Sequence, residues 1–219
     1  MITSLAAQLD SFSPNIASTA EELDQLITSL KQTLTNLEIN YIRQFALEQG
    51  IWDFYPTPYE LIQKMLELAN IQPHHRVLEP SAGAGDLCQI LRNSGVKQID
   101  CFEVHPLLQK ALKLQGYNLL GDDFLSSTPQ PVYDRIIANP PFSRSDVANH
   151  TQHAYQFLKS GGKLVTLAHH YQLKPSSSDR RFFSWLDWVN ARFLNCNQAM
   201  SHSDRPTNTP LQLILISKP

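Results

Sequence analysis

The chain has 219 residues, of which 42% are hydrophobic and 17% charged, and its formal net charge is −2. This composition suits one large domain, or one domain with a small appendage, and it excludes a uniformly basic coat for nucleic acid. We find neither an apolar run long enough to span a bilayer nor the start of a signal peptide, so we expect a cytoplasmic protein without a membrane partner.

Cysteine and histidine usage argues against metal binding. Cys88, Cys101 and Cys196 are odd in number and far apart, which fits neither a disulfide framework nor the spacing of zinc ligands. The eight histidines include those at 74–75, 150, 153 and 169–170, without other ligand types converging on them. We therefore predict no metal.

Charge is unevenly spread along the chain. Residues 1–50 carry two basic and six acidic side chains, whereas residues 163–219 carry seven basic and three acidic ones. A polyanionic partner would therefore meet the last quarter of the chain.

The chain begins with a predicted helical arm and continues as an α/β domain. Thr19 and Glu22 form a capping box before a helix that is predicted to end near Gly50. An aromatic and proline-rich bend (52–58) and a helix (59–69) follow. Strand and helix then alternate between residues 76 and 168, which predicts a doubly wound, mostly parallel sheet covered on both faces. The predicted domains are 1–50, a helical extension, and 51–219. Strands are predicted at 76–79, 98–103, 117–120, 132–138, 163–168, 193–196 and 211–216, helices at 87–94, 106–115, 146–158 and 181–191, and a polar loop at 171–179.

One of these strands stops at Asn139-Pro140-Pro141-Phe142. Proline cannot donate to a sheet ladder and biases the preceding residue towards extended geometry, so the strand should end in a stiff elbow. The Asn139 amide oxygen and the Pro140 carbonyl are then two fixed acceptors beside the aromatic face of Phe142. Such an arrangement is suited to a planar group that carries an NH2, although an ordinary Pro-Pro turn would have the same sequence.

Three other strand ends carry informative residues at the edge where doubly wound sheets bind ligands. After the first strand, Gly83 and Gly85 permit a tight turn and Asp86 opens a helix. After the second, Glu103 lies near the offset of a carboxylate that binds ribose hydroxyls. After the third, Asp122, Asp123 and Phe124 offer carboxylates for an adenine amine and a ring against it. Each could instead be structural: an exposed charge, a solvated turn or a core ring.

These segments resemble the signatures of class I S-adenosylmethionine-dependent methyltransferases, in the amino-methylating branch that includes the adenine-N6 DNA methyltransferases. The resemblance covers about residues 54 to 168. It implies a seven-stranded Rossmann-like methyltransferase sheet. The segments that carry it are 79–87 (EPSAGAGDL), 123–125 (DFL) and 139–142 (NPPF), with 54–58 (FYPTP) similar to the segment that precedes the first strand of that family.

The resemblance implies S-adenosyl-L-methionine as cofactor and assigns the site residues. The Thr-Pro of 57–58 would contact its methionine end, and Phe142 would stack on the substrate ring. The implied catalytic residues are Asn139, Pro140, Pro141 and Phe142, and the implied cofactor-binding residues are Tyr55, Thr57, Pro58, Glu79, Ser81, Gly83, Gly85, Asp86, Glu103, Asp122, Asp123, Phe124 and Asn139.

Two departures from the family bear on the partner. The turn after the first strand lacks three-glycine dinucleotide spacing, which favours S-adenosylmethionine over NAD. Only residues 1–50 and 171–210 remain for a target-recognition domain, which sequence-specific DNA methyltransferases of this branch usually carry.

The favoured function is methyl transfer to an exocyclic amine of a nucleic-acid base, with adenine N6 in DNA ahead of RNA. We expect Lys174, Arg180 and Arg181 to grip phosphates, although the two arginines could instead pair with Asp179 and Asp187. A protein glutamine amide presents the same two N–H groups and is an alternative substrate, and a non-catalytic binding module is a third possibility. The sequence leaves the oligomeric state open.

Overall fold

The computed structural model describes residues 20–51, 54–142, 146–169, 177–196, 204 and 210–219. This part of the chain contains seven strands and six α-helices. The helices are α1 (Ala20–Glu48), α2 (Tyr59–Ala69), α3 (Asp86–Asn93), α4 (Pro106–Leu114), α5 (Asp146–Phe157) and α6 (Ser177–Trp188), and the strands are β1 (Arg76–Glu79), β2 (Gln98–Phe102), β3 (Asn118–Gly121), β4 (Tyr133–Ala138), β5 (Leu158–His169), β6 (Arg192–Asn195) and β7 (Leu211–Ser217).

The strands form one seven-stranded sheet in the order β3-β2-β1-β4-β5-β7-β6. The neighbours from β3 through β5 pair in parallel, whereas β7 pairs antiparallel with β5 and β6. The prediction of a mostly parallel, doubly wound seven-stranded sheet is confirmed. The sequence analysis did not predict that β7 is inserted antiparallel between β5 and β6.

Alternate residues of the central strands enter two separate cores, because successive side chains of a strand point to opposite faces of the sheet. On β4, Ile137 packs with α2 and α3 on one face, and Ile136 packs with α5 and α6 on the other. Val165 and Leu164 divide in the same way on β5. The sheet is therefore covered on both faces, which explains why its strands read as nearly continuous apolar runs.

Two elements differ from the sequence prediction by three residues or more at one end or both. The strand predicted from residue 163 already begins at Leu158, which pairs with Tyr133, while a register irregularity precedes the regular pairing of Arg135 with Lys163. The helix predicted at 181–191 spans Ser177–Trp188, so residues 177–179 are helical rather than part of the predicted loop. The rest of that loop, and most of the 197–209 connection, lie outside the described residues.

The chain divides into two compact units between Asn40 and Tyr41. The described part of the first unit is the beginning of α1, and the second unit contains the whole sheet. The division falls ten residues before the predicted boundary at residue 50, within α1. No helix among the described residues combines the length and the apolar character needed to cross a membrane.

Candidate active site

The four turns singled out in the sequence meet at one edge of the sheet. Because β3, β2, β1 and β4 are neighbours in this order, their carboxyl ends lie side by side. A pocket of about 270 Å³ opens there. Its walls are formed by Phe54, Tyr55, Pro56, Thr57, Pro80, Ser81, Ala82, Gly83, Asp86, Leu87, Glu103, Val104, Leu108, Asp122, Asp123, Phe124, Asn139, Pro141, Asp146 and His150.

Glu103 joins the end of β2 to the glycine-rich turn after β1. The Gly83 N–H donates to Glu103 Oε2 at 2.7 Å, and the His105 N–H donates to Oε1 at 2.8 Å. Burial raises the pKa of the Glu103 carboxyl, and these backbone hydrogen bonds oppose the rise. Each carboxylate oxygen keeps a second acceptor site, so Glu103 can bind two further donors from a ligand.

The turn after β3 fixes a ring and a carboxylate at another part of the pocket. Asp123 Oδ1 accepts the Leu125 N–H at 3.0 Å and caps a short 3₁₀ helix, Phe124–Ser126. The Phe124 ring lies 5.3 Å from that of Phe102 and 5.2 Å from that of Phe157. Phe124 therefore both lines the pocket and packs in the core. The sequence had suggested these two roles as alternatives.

The elbow after β4 holds the Asn139 side chain in one orientation. Asn139 Nδ2 donates to the Tyr55 carbonyl and to Thr57 Oγ1, each at 2.9 Å. Because a carbonyl can only accept, the amide nitrogen must face Tyr55, and the amide oxygen must point the other way. Asn139 Oδ1 is buried and has no hydrogen-bond partner within the described part of the chain.

Glu79 lies beneath this arrangement and does not line the pocket. Its side chain is fully buried, and Oε1 accepts the Ser81 N–H at 3.3 Å. Burial raises the pKa of Glu79 well above its usual range, against opposing backbone hydrogen bonds from Ser81 and Asn139. Glu79 therefore connects the ends of β1 and β4 from below, and its predicted contact with a cofactor stays a prediction.

Comparison with known proteins gives two sequence matches and many structural ones. A stretch of 94 residues is 28% identical to the Type II methyltransferases M.HincII and M.HindII of Haemophilus influenzae, and it covers 40% of this chain but 16% of each relative. The chain thus spans a small part of their length. No known protein-family profile matches the sequence.

Three solved structures align with most of the chain. A protein from Vibrio vulnificus, described as the modification subunit of a type I restriction enzyme, gives a TM-score of 0.64 at 16% identity, covering 98% of this chain and 53% of that one. A type I restriction-modification methyltransferase subunit from Streptococcus thermophilus gives 0.62 at 19% identity, covering 81% and 47%. A protein from Listeria monocytogenes, described as a class I S-adenosylmethionine-dependent methyltransferase, gives 0.60 at 16% identity, covering 92% and 75%.

The chain has the class I methyltransferase fold.

Within this class I methyltransferase fold, the pocket is acidic. Five carboxylates line it, and no lysine or arginine does so among the residues the structure describes. One of the five, Asp86, is paired with Arg43 at 3.1 Å, and burial raises its pKa. A pocket of this charge favours a cationic or neutral ligand over a pyrophosphate, whose negative charge would be repelled. No group of three or more metal-ligating side chains lies together in the described part of the chain.

Phe142 lies beside the pocket, in a small aromatic group with Tyr55 and His169. The Phe142 ring is 6.2 Å from that of Tyr55, edge to face, and 5.0 Å from that of His169. The Phe142 carbonyl also lies 2.8 Å from His169 Nε2. Sequence reasoning missed His169, although its position at the end of the strand beside the elbow was a usable signal.

Sequence reasoning also missed Asp146 and His150, both of which line the pocket from α5. The signal was their spacing of four residues, which puts them on one face of the helix that follows the elbow. Val104, the residue after Glu103, was missed as well.

The remaining predicted site residues are placed as follows, and their roles stay predictions. Gly85 and Pro140 do not line the pocket, and Pro58 lines a neighbouring cavity. Arg180 and Arg181 are exposed on α6, and Lys174 lies outside the described residues.

Proposed function

We propose that this protein is an S-adenosylmethionine-dependent methyltransferase that acts on an exocyclic amino nitrogen of a nucleic-acid base, with adenine N6 in DNA as the favoured target. The observation that carries the proposal is the amide oxygen of Asn139, a buried acceptor without a donor in the described part of the chain. An unmet buried acceptor costs about 1–3 kcal/mol, and a ligand amine reaching the pocket would satisfy it.

The pocket's own chemistry supports S-adenosylmethionine as the cofactor. Glu103 has acceptor capacity for two ribose hydroxyls, and Asp123 can accept from an adenine amine, with the Phe124 ring alongside. The acidic lining suits a ligand with a positively charged sulfur and an ammonium group. When bound, S-adenosylmethionine supplies a methyl group on a sulfonium, which a nitrogen can take directly.

The elbow supports an amine as the acceptor of that methyl group. The lone pair of an exocyclic amine is delocalised into its ring, so the nitrogen is a weak nucleophile. The Asn139 oxygen and the Pro140 carbonyl would accept its two N–H bonds, favour a tetrahedral nitrogen and stabilise its developing positive charge. Fixed dipoles of this kind are worth roughly 3 kcal/mol each in the transition state. Phe142 would stack on the base, offsetting part of the cost of flipping it out of a duplex.

The comparisons support DNA as the substrate. The sequence relatives are Type II methyltransferases, and two of the structural neighbours are described as subunits of type I restriction systems. An amine of an RNA base and the side-chain amide of a protein glutamine remain alternative acceptors, because both offer the two N–H groups that the elbow would receive.

The proposal is tested by offering purified DNA, RNA and protein to the enzyme with S-adenosylmethionine that is labelled on its methyl group. We expect label in the DNA fraction with the parent protein and almost none with Asn139→Ala. Label confined to protein would overturn the assignment of a nucleic-acid substrate. Absence of label from all three fractions would overturn the proposal that the protein is a methyltransferase.

A further inference from the structure

His150 belongs to the pocket but was not assigned by the sequence motifs. It lies on α5, one helical turn after Asp146, and both side chains line the pocket. Since α5 begins four residues after the end of the elbow, His150 belongs to the element that immediately follows the proposed catalytic segment.

Two contacts hold the imidazole of His150 in place. Its Nδ1 lies 3.4 Å from the Ser81 hydroxyl oxygen, in the turn after β1. Its ring lies 5.7 Å from the Phe124 ring, tilted by 43°. His150 thus connects the turn after β1 with the turn after β3.

The imidazole is neutral at physiological pH. Burial lowers the pKa of His150 to about 4, although Asp146 and Asp123 both act to raise it. A neutral imidazole has one donor and one acceptor. The Ser81 hydroxyl can donate to Nδ1. In that tautomer the proton resides on Nε2, and the ring offers a donor to the pocket.

A side-chain donor would complement the carboxylates at the proposed adenine end of the pocket, beside Asp123 and Phe124. The edge of adenine carries an amino group, which donates, and ring nitrogens, which only accept. The carboxylates of Asp122, Asp123 and Asp146 can receive the amino group but have nothing to give a ring nitrogen.

We propose that His150 recognises the adenine of the cofactor by donating its Nε2–H to a ring nitrogen, while Asp123 accepts from the adenine amino group. This inference rests on the proposed function, because it takes S-adenosylmethionine as the ligand of the pocket. It makes His150 a specificity-determining residue, contributed by the helix after the elbow.

The test compares three variants by calorimetric titration with S-adenosylhomocysteine, adenosine and the 1-, 3- and 7-deaza analogues of adenosine. His150→Phe keeps a ring against Phe124 and removes the donor, whereas His150→Gln keeps an N–H donor. His153→Phe is the matched control, because His153 packs on the same Phe124 ring at 4.8 Å but does not line the pocket.

We expect His150→Phe to bind adenosine and S-adenosylhomocysteine about tenfold more weakly than the parent, the usual effect of one neutral hydrogen bond. His150→Gln should recover part of the loss, and His153→Phe should bind like the parent. For the deaza analogue that lacks the accepting nitrogen, the parent and His150→Phe should bind equally.

Two results would overturn the inference alone: unchanged affinity in His150→Phe, or a tenfold loss that persists with all three deaza analogues. A loss of the same size in His153→Phe would also overturn it, by showing that packing on Phe124 is responsible. Failure of the parent protein to bind S-adenosylmethionine and S-adenosylhomocysteine at all would overturn the proposed function together with this inference.

Discussion

At the scale of single residues, the orientation of Asn139 is the feature on which the proposed chemistry depends. Replacing Asn139 by Ala removes the oxygen that would accept from the substrate amine. We expect turnover to fall about 100-fold, the usual result of deleting one preorganised polar group, while cofactor affinity survives. Turnover and calorimetric binding would be measured together.

Asn118→Ala is the matched control for this change. Asn118 is exposed on β3 and donates to Asp100 at 2.6 Å, so its loss removes an asparagine hydrogen bond outside the pocket. Turnover should stay near that of the parent. If Asn139→Ala abolishes cofactor binding as well as turnover, then Asn139 is structural and the acceptor role of the elbow is wrong.

Glu103 should determine affinity rather than rate. Glu103→Ala should weaken S-adenosylmethionine binding by about 2 kcal/mol, the scale of hydrogen bonds to a charged group. Glu103→Gln keeps the shape of the side chain and one acceptor, so it should lose less. Calorimetry gives both values, and an unchanged affinity in a folded Glu103→Ala variant would remove Glu103 from the site.

His150 gives the stability of the protein a dependence on acid pH. Its pKa is about 4 in the folded chain and about 6.5 when unfolded, so between these values the unfolded state binds more protons. The free energy of unfolding should therefore fall as pH is lowered from 6.5 to 4, by roughly 2 kcal/mol after allowance for partial exposure. Urea unfolding of the parent and of His150→Gln across this range isolates the effect, and identical slopes in the two proteins would contradict it.

At the scale of elements, the turn after β1 is the most constrained connection in the site. Gly83 has φ +56°, and a Cβ placed there would lie 3.1 Å from the Phe54 ring. Gly50 has a similar φ of +60° but no atom within 4 Å of such a Cβ. The two glycines therefore separate the effect of backbone conformation from that of crowding.

We expect Gly50→Ala to destabilise the protein by about 1 kcal/mol, because alanine is disfavoured in the left-handed region. Gly83→Ala should cost more, and it should also weaken cofactor binding, because the Gly83 N–H holds Glu103 at 2.7 Å. Urea unfolding and calorimetry measure the two effects. Equal losses of stability and unaltered cofactor affinity would show that the turn tolerates a side chain.

Of the residues predicted to contact phosphates, the structure describes Arg180 and Arg181, and both are exposed on helix α6. If both bind phosphates, replacing them with Ala should flatten the slope of log affinity for duplex DNA against log salt by about 2, because each released counterion contributes about 0.9. The matched control is Lys97→Ala with Lys113→Ala, which removes two exposed charges near the amino ends of β2 and β3. A salt dependence that is already flat in the parent would favour the protein amide as substrate.

The elements between residues 59 and 138 were predictable from sequence because local signals mark their ends. Pro106 begins α4, and the two prolines after Asn139 end β4. The early start of β5 was not predictable, since Leu158 joins the sheet through an irregular pairing with Tyr133 rather than through an apolar run. Such a contact is tertiary and leaves no periodic pattern.

At the scale of the whole molecule, the sequence singled out four turns as a candidate site, and the strand order explains why these turns meet at one pocket. The sequence could not predict the orientation of individual side chains. It did not show that the amide nitrogen of Asn139 would face Tyr55, or that Glu79 would be buried rather than line the pocket. These depend on contacts between segments more than twenty residues apart, which no local motif encodes.

The chain also spans a small part of the sequence relatives it matches and about half of two structural neighbours. The pocket and the elbow lie entirely within the unit that begins at Tyr41. The proposed cofactor binding and methyl transfer therefore involve residues of this unit alone.

The most direct test of the central claim is the identity of the methylated unit. DNA treated with the protein and methyl-labelled S-adenosylmethionine would be digested to nucleosides, which would be separated and identified by mass spectrometry. The proposed function predicts label in N6-methyladenine, reduced about 100-fold when Asn139→Ala is used. Label on a ring carbon such as C5 of cytosine would contradict the account, because the acceptors at Asn139 and Pro140 are suited to an amine and give a carbon nucleophile no assistance.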